Sequence, residues 1–175
     1  YPTTASGYAQ ETTPGRPNAT LYEGFVSSPT FSQTRGIFDN SFMLELSVPE
    51  SEAAQIYYTL DTSKPAPDNP AALRYEEPIL ISGTTTFRAT SFEEGQLPSL
   101  TETHTYIFPS DVVTQETLQP IVTEDPNWGP QLGSSLVALP TISIVTPNQI
   151  SVVSEVETSM ELIFPDGSQG FQVDA

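Results

Sequence analysis

Few side chains in this sequence could perform acid–base or nucleophilic chemistry. His104 is the single histidine and lies between two threonines in an alternating run. A catalytic nucleophile needs a base within hydrogen-bond reach, and no histidine cluster or glycine-rich phosphate loop accompanies His104. We therefore interpret His104 as a surface or strand-pairing residue rather than as a catalytic base.

Adjacent acids are the second feature that could carry chemistry. They occur at three places in the chain: Glu76/Glu77, Glu93/Glu94 and Glu124/Asp125. A glycosidase needs two carboxylates that face each other across a cleft, whereas adjacent residues of a strand point to opposite faces. The pairs are better explained as solvated loop charges, and we predict that the chain is not an enzyme.

Three aspartates are candidate calcium ligands. Asp39, Asp61 and Asp68 all lie near predicted turns, and calcium takes carboxylate and carbonyl oxygens from loops. No segment has the spacing of an EF-hand. We favour the alternative that these aspartates form turns through side-chain hydrogen bonds to the backbone, and we expect no cofactor. Calcium is the only cofactor for which the sequence offers candidates.

Aromatic residues offer candidate sugar contacts. Trp128, in the proline-rich segment 126–130, could form platforms for a polysaccharide together with Tyr57 and Tyr75. The alternative, which we favour, is that Trp128 anchors this segment to the fold by burying apolar area. Asn18 begins an Asn-Ala-Thr sequon for N-glycosylation, but we favour a chance match in a threonine-rich arm.

Composition excludes several classes of protein. The 175 residues contain 22 acids and 5 bases, for a net charge of −17, and Lys64 is the only lysine. A nucleic-acid partner would need a basic stripe. Zero cysteines exclude cysteine-ligated zinc sites and disulfides. No run approaches 18 apolar residues, so we expect no membrane insertion. Seventeen prolines disfavour a helical protein, which leaves an acidic, all-β chain.

The elements that would position these residues show a period of two. In the run 42–48, Phe42, Leu44, Leu46 and Val48 fall on one face. Similar runs follow at 55–60, 79–81, 84–92 and 102–108, each bounded by turn residues. Such alternation is typical of half-buried strands, and short strands at this spacing predict a β-sandwich over residues 25–109.

The inner faces of two runs can be predicted residue by residue. In the run 55–60, Ile56, Tyr58 and Leu60 should point inward. In the run 84–92, Phe87 and Ala89 should point inward, and Arg88 and Thr90 should point to solvent.

The two ends of the chain differ from this central region. Residues 1–24 are rich in Thr, Pro and Gly and predict an extended arm or linker. Residues 110–175 predict a proline-rich connector followed by an incomplete second β-rich segment. In the connector we expect a short helix capped by Ser110, regular structure broken at Pro120, Pro126 and Pro130, and a helical turn over 133–139.

Three strands are predicted in the second β-rich segment. They cover 141–145, 159–164 and 171–173, and Asp166-Gly167 suits a hairpin between the last two. The final strand stops at the end of the sequence, so we expect the chain to be a fragment.

The central motifs resemble a known family. Residues 28–108 resemble the chitobiase/β-hexosaminidase C-terminal-type domain, an accessory sandwich with an immunoglobulin/Fn3-like antiparallel fold. The resemblance lies in segments 31–39, 56–65, 75–79, 85–89 and 103–106. The family has a glycine after the aspartate that Asp61 matches, whereas this sequence has Thr62.

The flanking segments resemble parts of other families. Residues 110–175 resemble the start of a CotH-like kinase region through segments 139–145, 160–167 and 170–175, and residues 13–18 resemble the exit of a lamin-tail-like domain. These resemblances imply a slice of a large secreted bacterial multi-domain protein, located extracellularly or at the cell surface. The catalytic residues of a CotH-like kinase would lie beyond Ala175.

We therefore predict a non-catalytic structural or interaction module. A chain that ends in an alternating strand could add that strand to a sheet of another copy or of a neighbouring domain, and so build a filament or surface layer. One alternative is a carbohydrate-binding accessory module of an extracellular enzyme. Another is a fragment of a CotH-like kinase.

Overall fold

A computed structural model describes residues 22–147 and 155–174. Most of the predicted arm, the sequon at Asn18 and the segment 13–18 lie outside the described residues. The strands are β1 (Thr30–Phe31), β2 (Gly36–Ile37), β3 (Phe42–Leu44), β4 (Leu46–Ser47), β5 (Gln55–Thr59), β6 (Leu73–Arg74), β7 (Ile79–Ile81), β8 (Thr85–Phe92), β9 (Glu102–Ile107), β10 (Thr141–Val145), β11 (Ser159–Ile163) and β12 (Phe171–Asp174). The helices are α1 (Pro109–Thr114), α2 (Pro120–Thr123) and α3 (Leu132–Leu136), with a 3-10 turn at Gly129–Gln131.

The first nine strands form a β-sandwich, as predicted. One layer is a five-stranded sheet in the order β2-β9-β8-β5-β6, and the other consists of the pairs β1-β4 and β3-β7. The strand pairs are antiparallel except for β2 and β9, which run parallel. The all-β, antiparallel fold class is therefore confirmed.

The core lies between these two layers and follows the predicted alternation. Leu44, Phe87, Ala89 and Tyr106 are completely buried, and the rings of Tyr58 and Phe87 stack with centroids 4.9 Å apart. Leu60 was predicted to point inward, but it is 47% exposed. The alternation stops earlier than predicted because β5 ends at Thr59 and the chain turns there.

Strand β8 is buried on both faces, which the sequence did not predict. Arg88 and Thr90 were expected to face solvent, yet they are only 2% and 3% exposed. The Arg88 guanidinium donates to the Thr62 carbonyl oxygen over 2.7 Å and lies 4.0 Å from the Glu157 carboxylate. The outer face of the five-stranded sheet is thus covered by the loop at Thr62 and by the chain that leads into β11.

The connector between the sandwich and the last strands contains short helical turns. Helix α1 begins at Pro109, and its N-cap is Phe108 with no side-chain cap, so the prediction of a Ser110 cap was wrong. The fixed φ of proline suits the first helical position, and Pro109 takes that position here. Pro120 likewise begins α2, and Pro130 lies in the first turn of the 3-10 helix, so two predicted breakers instead start helical turns.

Helix α1 ties the connector to the sandwich. The Asp111 carboxylate accepts a 2.7 Å hydrogen bond from the Thr84 N–H, just before β8. No residue of α1, α2 or α3 is buried. None of the helices that the structure describes has the length and apolar character to cross a membrane.

The three strands predicted for the C-terminal segment are present, and they form a separate antiparallel sheet in the order β10-β11-β12. Strands β11 and β12 are joined through residues 164–170, a longer connection than a two-residue hairpin. Gly167 in this turn has φ = 73°, a left-handed conformation that glycine adopts without steric cost.

Candidate interaction surface

One edge of β9 is only partly covered by another strand. Strand β2 pairs with Tyr106 and Ile107, and the Ile107 carbonyl accepts the Phe38 N–H over 2.8 Å. Because backbone groups alternate along a strand, those of Thr103 and Thr105 point to the same edge as those of Ile107. In the described part of the chain, no strand pairs with them there.

Side chains of the C-terminal sheet cap this edge of β9. The Glu161 Oε1 atom accepts the Thr105 N–H over 3.1 Å. The Gln172 Oε1 atom accepts the Thr103 N–H over 2.8 Å, and its Nε2 atom donates to the Thr101 carbonyl over 3.2 Å. Unpaired edges are templates for association with other chains, so β11 and β12 protect the sandwich without adding a strand to it.

An arginine from the loop before β2 completes this junction. The Arg35 Nε atom donates to Glu161 Oε1 over 2.8 Å, and its Nη2 atom donates to the Thr103 carbonyl over 3.1 Å. The Glu161 side chain is fully buried, and that of Arg35 is 14% exposed. A short hydrogen bond from the Thr105 hydroxyl also reaches the Glu161 carboxylate.

Burial and pairing act on the Glu161 carboxyl in opposite directions. Burial raises its pKa because it penalises the charged form. The hydrogen bonds from Thr105 and Arg35 and the positive charge of Arg35 lower the pKa, but less than burial raises it. Sequence reasoning missed this pair because its members lie 126 residues apart. The sequence did contain one signal for this pair. A glutamate lies in the middle of the predicted strand that became β11, and the chain has only five bases that could pair with it.

His104 is a structural residue of β9. It lies opposite Phe87 in the β8–β9 register, so the strand-pairing prediction is confirmed. The surface interpretation was wrong, since His104 is only 6% exposed. Its Nδ1 atom accepts the Arg35 backbone N–H over 3.0 Å, and its ring centroid lies 4.1 Å from that of Phe31. Burial lowers the pKa of His104 to about 3, which keeps the imidazole neutral.

The three candidate calcium ligands are not brought together in the structure. Asp39, Asp61 and Asp68 are exposed, and the described residues contain no group of three or more acids, histidines or cysteines that could hold a metal ion. The Asp61 carboxylate accepts the Ser63 N–H over 3.1 Å, and this hydrogen bond and that from the Ser63 hydroxyl lower its pKa. The alternative role as a turn former is therefore confirmed for Asp61.

The turn after Asp61 explains the departure from the family pattern. Thr62 has φ = 68° and is the only described residue other than glycine with a positive φ. Glycine suits this conformation better. The Thr62 side chain compensates by donating to the Thr146 carbonyl over 3.1 Å, a contact with the end of β10 that glycine could not make.

The three candidate sugar-binding aromatics do not share one surface. Tyr57 lies on the outer face of β5, with its ring centroid 5.5 Å from that of Phe92. Tyr75 instead packs against the hydrophobic core. Trp128 was expected to anchor the connector by burial, but it is 63% exposed, so that expectation was wrong.

Comparison with known families gives a match to the central part of the chain. Residues 44–106 match the family described as Fn3 associated. The Fn3-associated match runs from β3 to β9 and covers most of the sandwich core, which agrees with the resemblance to a chitobiase-type Fn3-like domain. A domain of this type is a non-catalytic accessory module of a larger protein. The match does not reach residues 110–175, so their resemblance to a CotH-like region stays a prediction. Neither the curated proteins nor the solved structures gave a match.

Proposed function

We propose that this chain is a non-catalytic structural module of a secreted or cell-surface bacterial protein, and that it joins copies or neighbouring domains by β-strand addition. The observation that carries the proposal is the C-terminal sheet. Among the described residues, β11 lies between β10 and β12, and no strand pairs with the outer edge of either.

Strand β10 is the better edge for such an addition. Its five residues include no charge, no proline and no glycine, which are the features that usually block an edge. Strand β12 carries Asp174 at its end. The edge of β9, in contrast, is capped by Glu161 and Gln172. Assembly through β10 therefore leaves the sandwich intact and uses main-chain hydrogen bonds.

Proline substitution in β10 tests this proposal. Successive residues of an antiparallel strand direct their N–H groups to opposite neighbours. One of the two variants Ile142→Pro and Ser143→Pro therefore removes an outward N–H, while the other breaks the pairing with β11. Circular dichroism identifies the variant that keeps the fold, and Ile142→Thr, which keeps every N–H, is the control.

Sedimentation velocity over a concentration series provides the readout, at about 0.5 M NaCl so that the repulsion between acidic chains is screened. We expect the wild type and the control to associate and the folded proline variant to stay monomeric. A wild type that is monomeric at all concentrations, or a folded proline variant that associates equally well, contradicts strand addition through β10.

The exposure of Trp128 favours carbohydrate binding as a second candidate function. An exposed tryptophan offers a flat apolar surface on which a sugar ring can stack. Trp128→Ala should then abolish retention on a polysaccharide column, whereas Ile121→Ala, at a residue 79% exposed in the same connector, should not. Equal retention of the two variants, or no retention of the wild type on any glycan, removes this candidate.

The remaining candidate, a fragment of a CotH-like kinase, predicts no ATP binding by this chain alone, because the matching catalytic residues would lie beyond it. Isothermal titration with ATP tests this prediction, and clear binding would contradict it.

A further inference from the structure

The C-terminal sheet and the sandwich have separate interiors. Within residues 22–147 and 155–174, strands β10, β11 and β12 pair only with one another. Three alternate residues of β11, Ser159, Glu161 and Ile163, are buried, yet the hydrophobic core of the sandwich contains no residue of this sheet. The sheet is therefore a unit that docks on a sandwich whose core does not depend on it.

The docking contacts are directional and polar. Besides the caps on β9, the hydroxyl oxygens of Thr105 and Ser143 lie 2.8 Å apart, and the Thr62 side chain donates to the Thr146 carbonyl. On the sandwich, the face of β8 and β9 that makes these contacts carries Thr86, Arg88, Thr103 and Thr105, which are cross-strand neighbours. Any copy of the chain presents the same donors and acceptors, so the sheet of one copy fits the sandwich of another equally well.

The connector does not determine which sandwich the sheet covers. The Asp111 carboxylate holds α1 to the sandwich, but no residue of α2, of the 3-10 turn or of α3 is buried. If these short turns open, residues 115–140 can span roughly 80 Å at about 3.3 Å per residue. A small domain is only about 30 Å across. The sheet can therefore reach a neighbouring sandwich while α1 stays in place.

A sandwich that has lost its sheet needs a replacement. Arg35 would lose the Glu161 carboxylate, and the N–H groups of Thr103 and Thr105 would lose their acceptors. Unpaired edge groups are templates for association with other chains. The groups left open on the sandwich match those of a C-terminal sheet, so they are satisfied equally by the sheet of the same copy or by that of another.

We propose that the C-terminal sheet is exchanged between copies of this chain, so that the sheet of one copy docks on the sandwich of another. Exchange of an identical element is a low-cost route to oligomers, because it reuses contacts that already exist within one copy. The partner is thus a second copy, and it binds through the same residues that cap β9. The exchange does not require strand addition at β10, which uses the free edge of this sheet.

The sheet of the same copy competes with the exchange. A flexible linker holds its two ends at a millimolar effective concentration, so exchange should become prominent near about 1 mM chain. The net charge of −17 opposes association, and about 0.5 M NaCl screens this repulsion. The experiment therefore uses this salt and a series of chain concentrations.

Disulfide trapping tests the proposal directly, because the sequence contains no cysteine. Two single variants, Thr105→Cys and Ser143→Cys, are mixed, unfolded in urea, refolded together and oxidised. Their sulfurs meet only where the sheet of one copy lies on the sandwich of the other. The control mixture is Thr30→Cys with Ser47→Cys, because the native hydroxyl oxygens of these two residues are also 2.8 Å apart but both lie within the sandwich.

Non-reducing electrophoresis measures the linked dimer, and peptide mapping by mass spectrometry confirms that the link joins positions 105 and 143. The linked fraction should rise roughly tenfold between about 0.01 mM and about 0.1 mM chain, because exchange competes with a millimolar effective concentration. Each variant oxidised alone should give only background. Thr30 and Ser47 are exposed whereas Thr105 is buried, so the control mixture overstates random linking.

A second mixture needs no cysteine. An exchanged pair of Arg35→Met and Glu161→Gln contains one native Arg35–Glu161 interface and one interface with both substitutions, whereas each variant alone mismatches every interface. Sedimentation velocity should therefore show more dimer in the mixture than in either variant alone at the same total concentration.

The proposal is overturned if the two cysteine variants give no more linked dimer together than separately at about 1 mM, or if the control mixture gives an equal excess. It is also overturned if mixing Arg35→Met with Glu161→Gln adds no dimer. Strand addition at β10 does not bring position 105 of one copy to position 143 of another. A wild type that associates while the cysteine variants stay unlinked would therefore support strand addition and contradict exchange.

Discussion

Replacing Arg35 by methionine should destabilise the protein at the junction between the sandwich and the C-terminal sheet. The substitution keeps a side chain of similar length, but it removes the 2.8 Å hydrogen bond to Glu161 and the 3.1 Å hydrogen bond to the Thr103 carbonyl. The Glu161 carboxylate is fully buried, so it would stay in the interior with only the two Thr105 donors.

The size of the effect follows from these contacts. Removing one partner of a buried ion pair costs about 3–5 kcal/mol. Because the Thr105 N–H and hydroxyl still bind the carboxylate, we expect the lower end of that range, about 3 kcal/mol in the free energy of unfolding.

A second substitution should have different effects in the two backgrounds. Glu161→Gln in the wild-type background should change the free energy of unfolding by less than about 1 kcal/mol, because the weaker, neutral hydrogen bonds are offset by removal of the burial penalty that raises the Glu161 pKa. In the Arg35→Met background the same Glu161→Gln change should stabilise the protein by about 1–2 kcal/mol, because it removes an uncompensated buried charge while it keeps an acceptor for the Thr105 N–H.

Urea unfolding followed by far-ultraviolet circular dichroism measures these free energies. Hydrogen exchange then localises the loss, and we expect amides of β10–β12 to lose protection before those of β5 and β8. The reasoning is refuted if Arg35→Met costs less than about 1 kcal/mol, or if adding Glu161→Gln destabilises the Arg35→Met variant further.

Three further predictions concern titration and packing. Because burial raises the pKa of Glu161 above its ordinary value of 4.5, the native state binds this proton more tightly than the unfolded state. The contribution of Glu161 to stability should fall as pH rises from 4.5 through the native pKa, so stability should fall more steeply with rising pH in the wild type than in Glu161→Gln. His104 has the opposite sign: its pKa falls from 6.5 to about 3, so its contribution should be lost as pH falls through that window. The single histidine signal in an NMR titration should therefore not move between about pH 8 and pH 5, and a midpoint near 6.5 would show that it is exposed. Gly170→Ala should destabilise the C-terminal sheet by about 1–3 kcal/mol because its Cβ would overlap the Leu162 carbonyl, while Gly133→Ala in α3 meets open space and should be neutral or stabilising by up to about 1 kcal/mol in the same urea assay.

Local patterns predicted the strands and most of the sandwich core. The alternation of Phe42, Leu44 and Leu46 is visible within a few residues, and each of these side chains packs in or against the core. The same holds for β10, β11 and β12, whose runs of β-branched and apolar residues lie between turn residues. A period of two is a property of one strand, and it needs no knowledge of what lies opposite.

Contacts between distant segments could not be predicted in this way. The polar face of β8 looked solvent-exposed because Arg88 and Thr90 alternate with Phe87 and Ala89, but a second layer covers them. Trp128 looked like an anchor because large aromatic residues usually bury area, but the connector leaves it exposed. In both cases the missing information was whether another part of the chain covers the residue.

The amino-acid sequence by itself determined an acidic chain of short alternating strands, since composition and a period of two act locally. Only the tertiary structure decided that Arg35 meets Glu161 across 126 residues and that β11 and β12 cap β9 with side chains. It also decided that Val145 and Ile163 are buried while Ile142 and Ile144 of the same sheet are exposed. The physical reason is that alternation divides a strand into two faces but does not say which face is covered. That choice depends on the buried hydrogen bonds and the ion pair that form when the sheet docks on the sandwich.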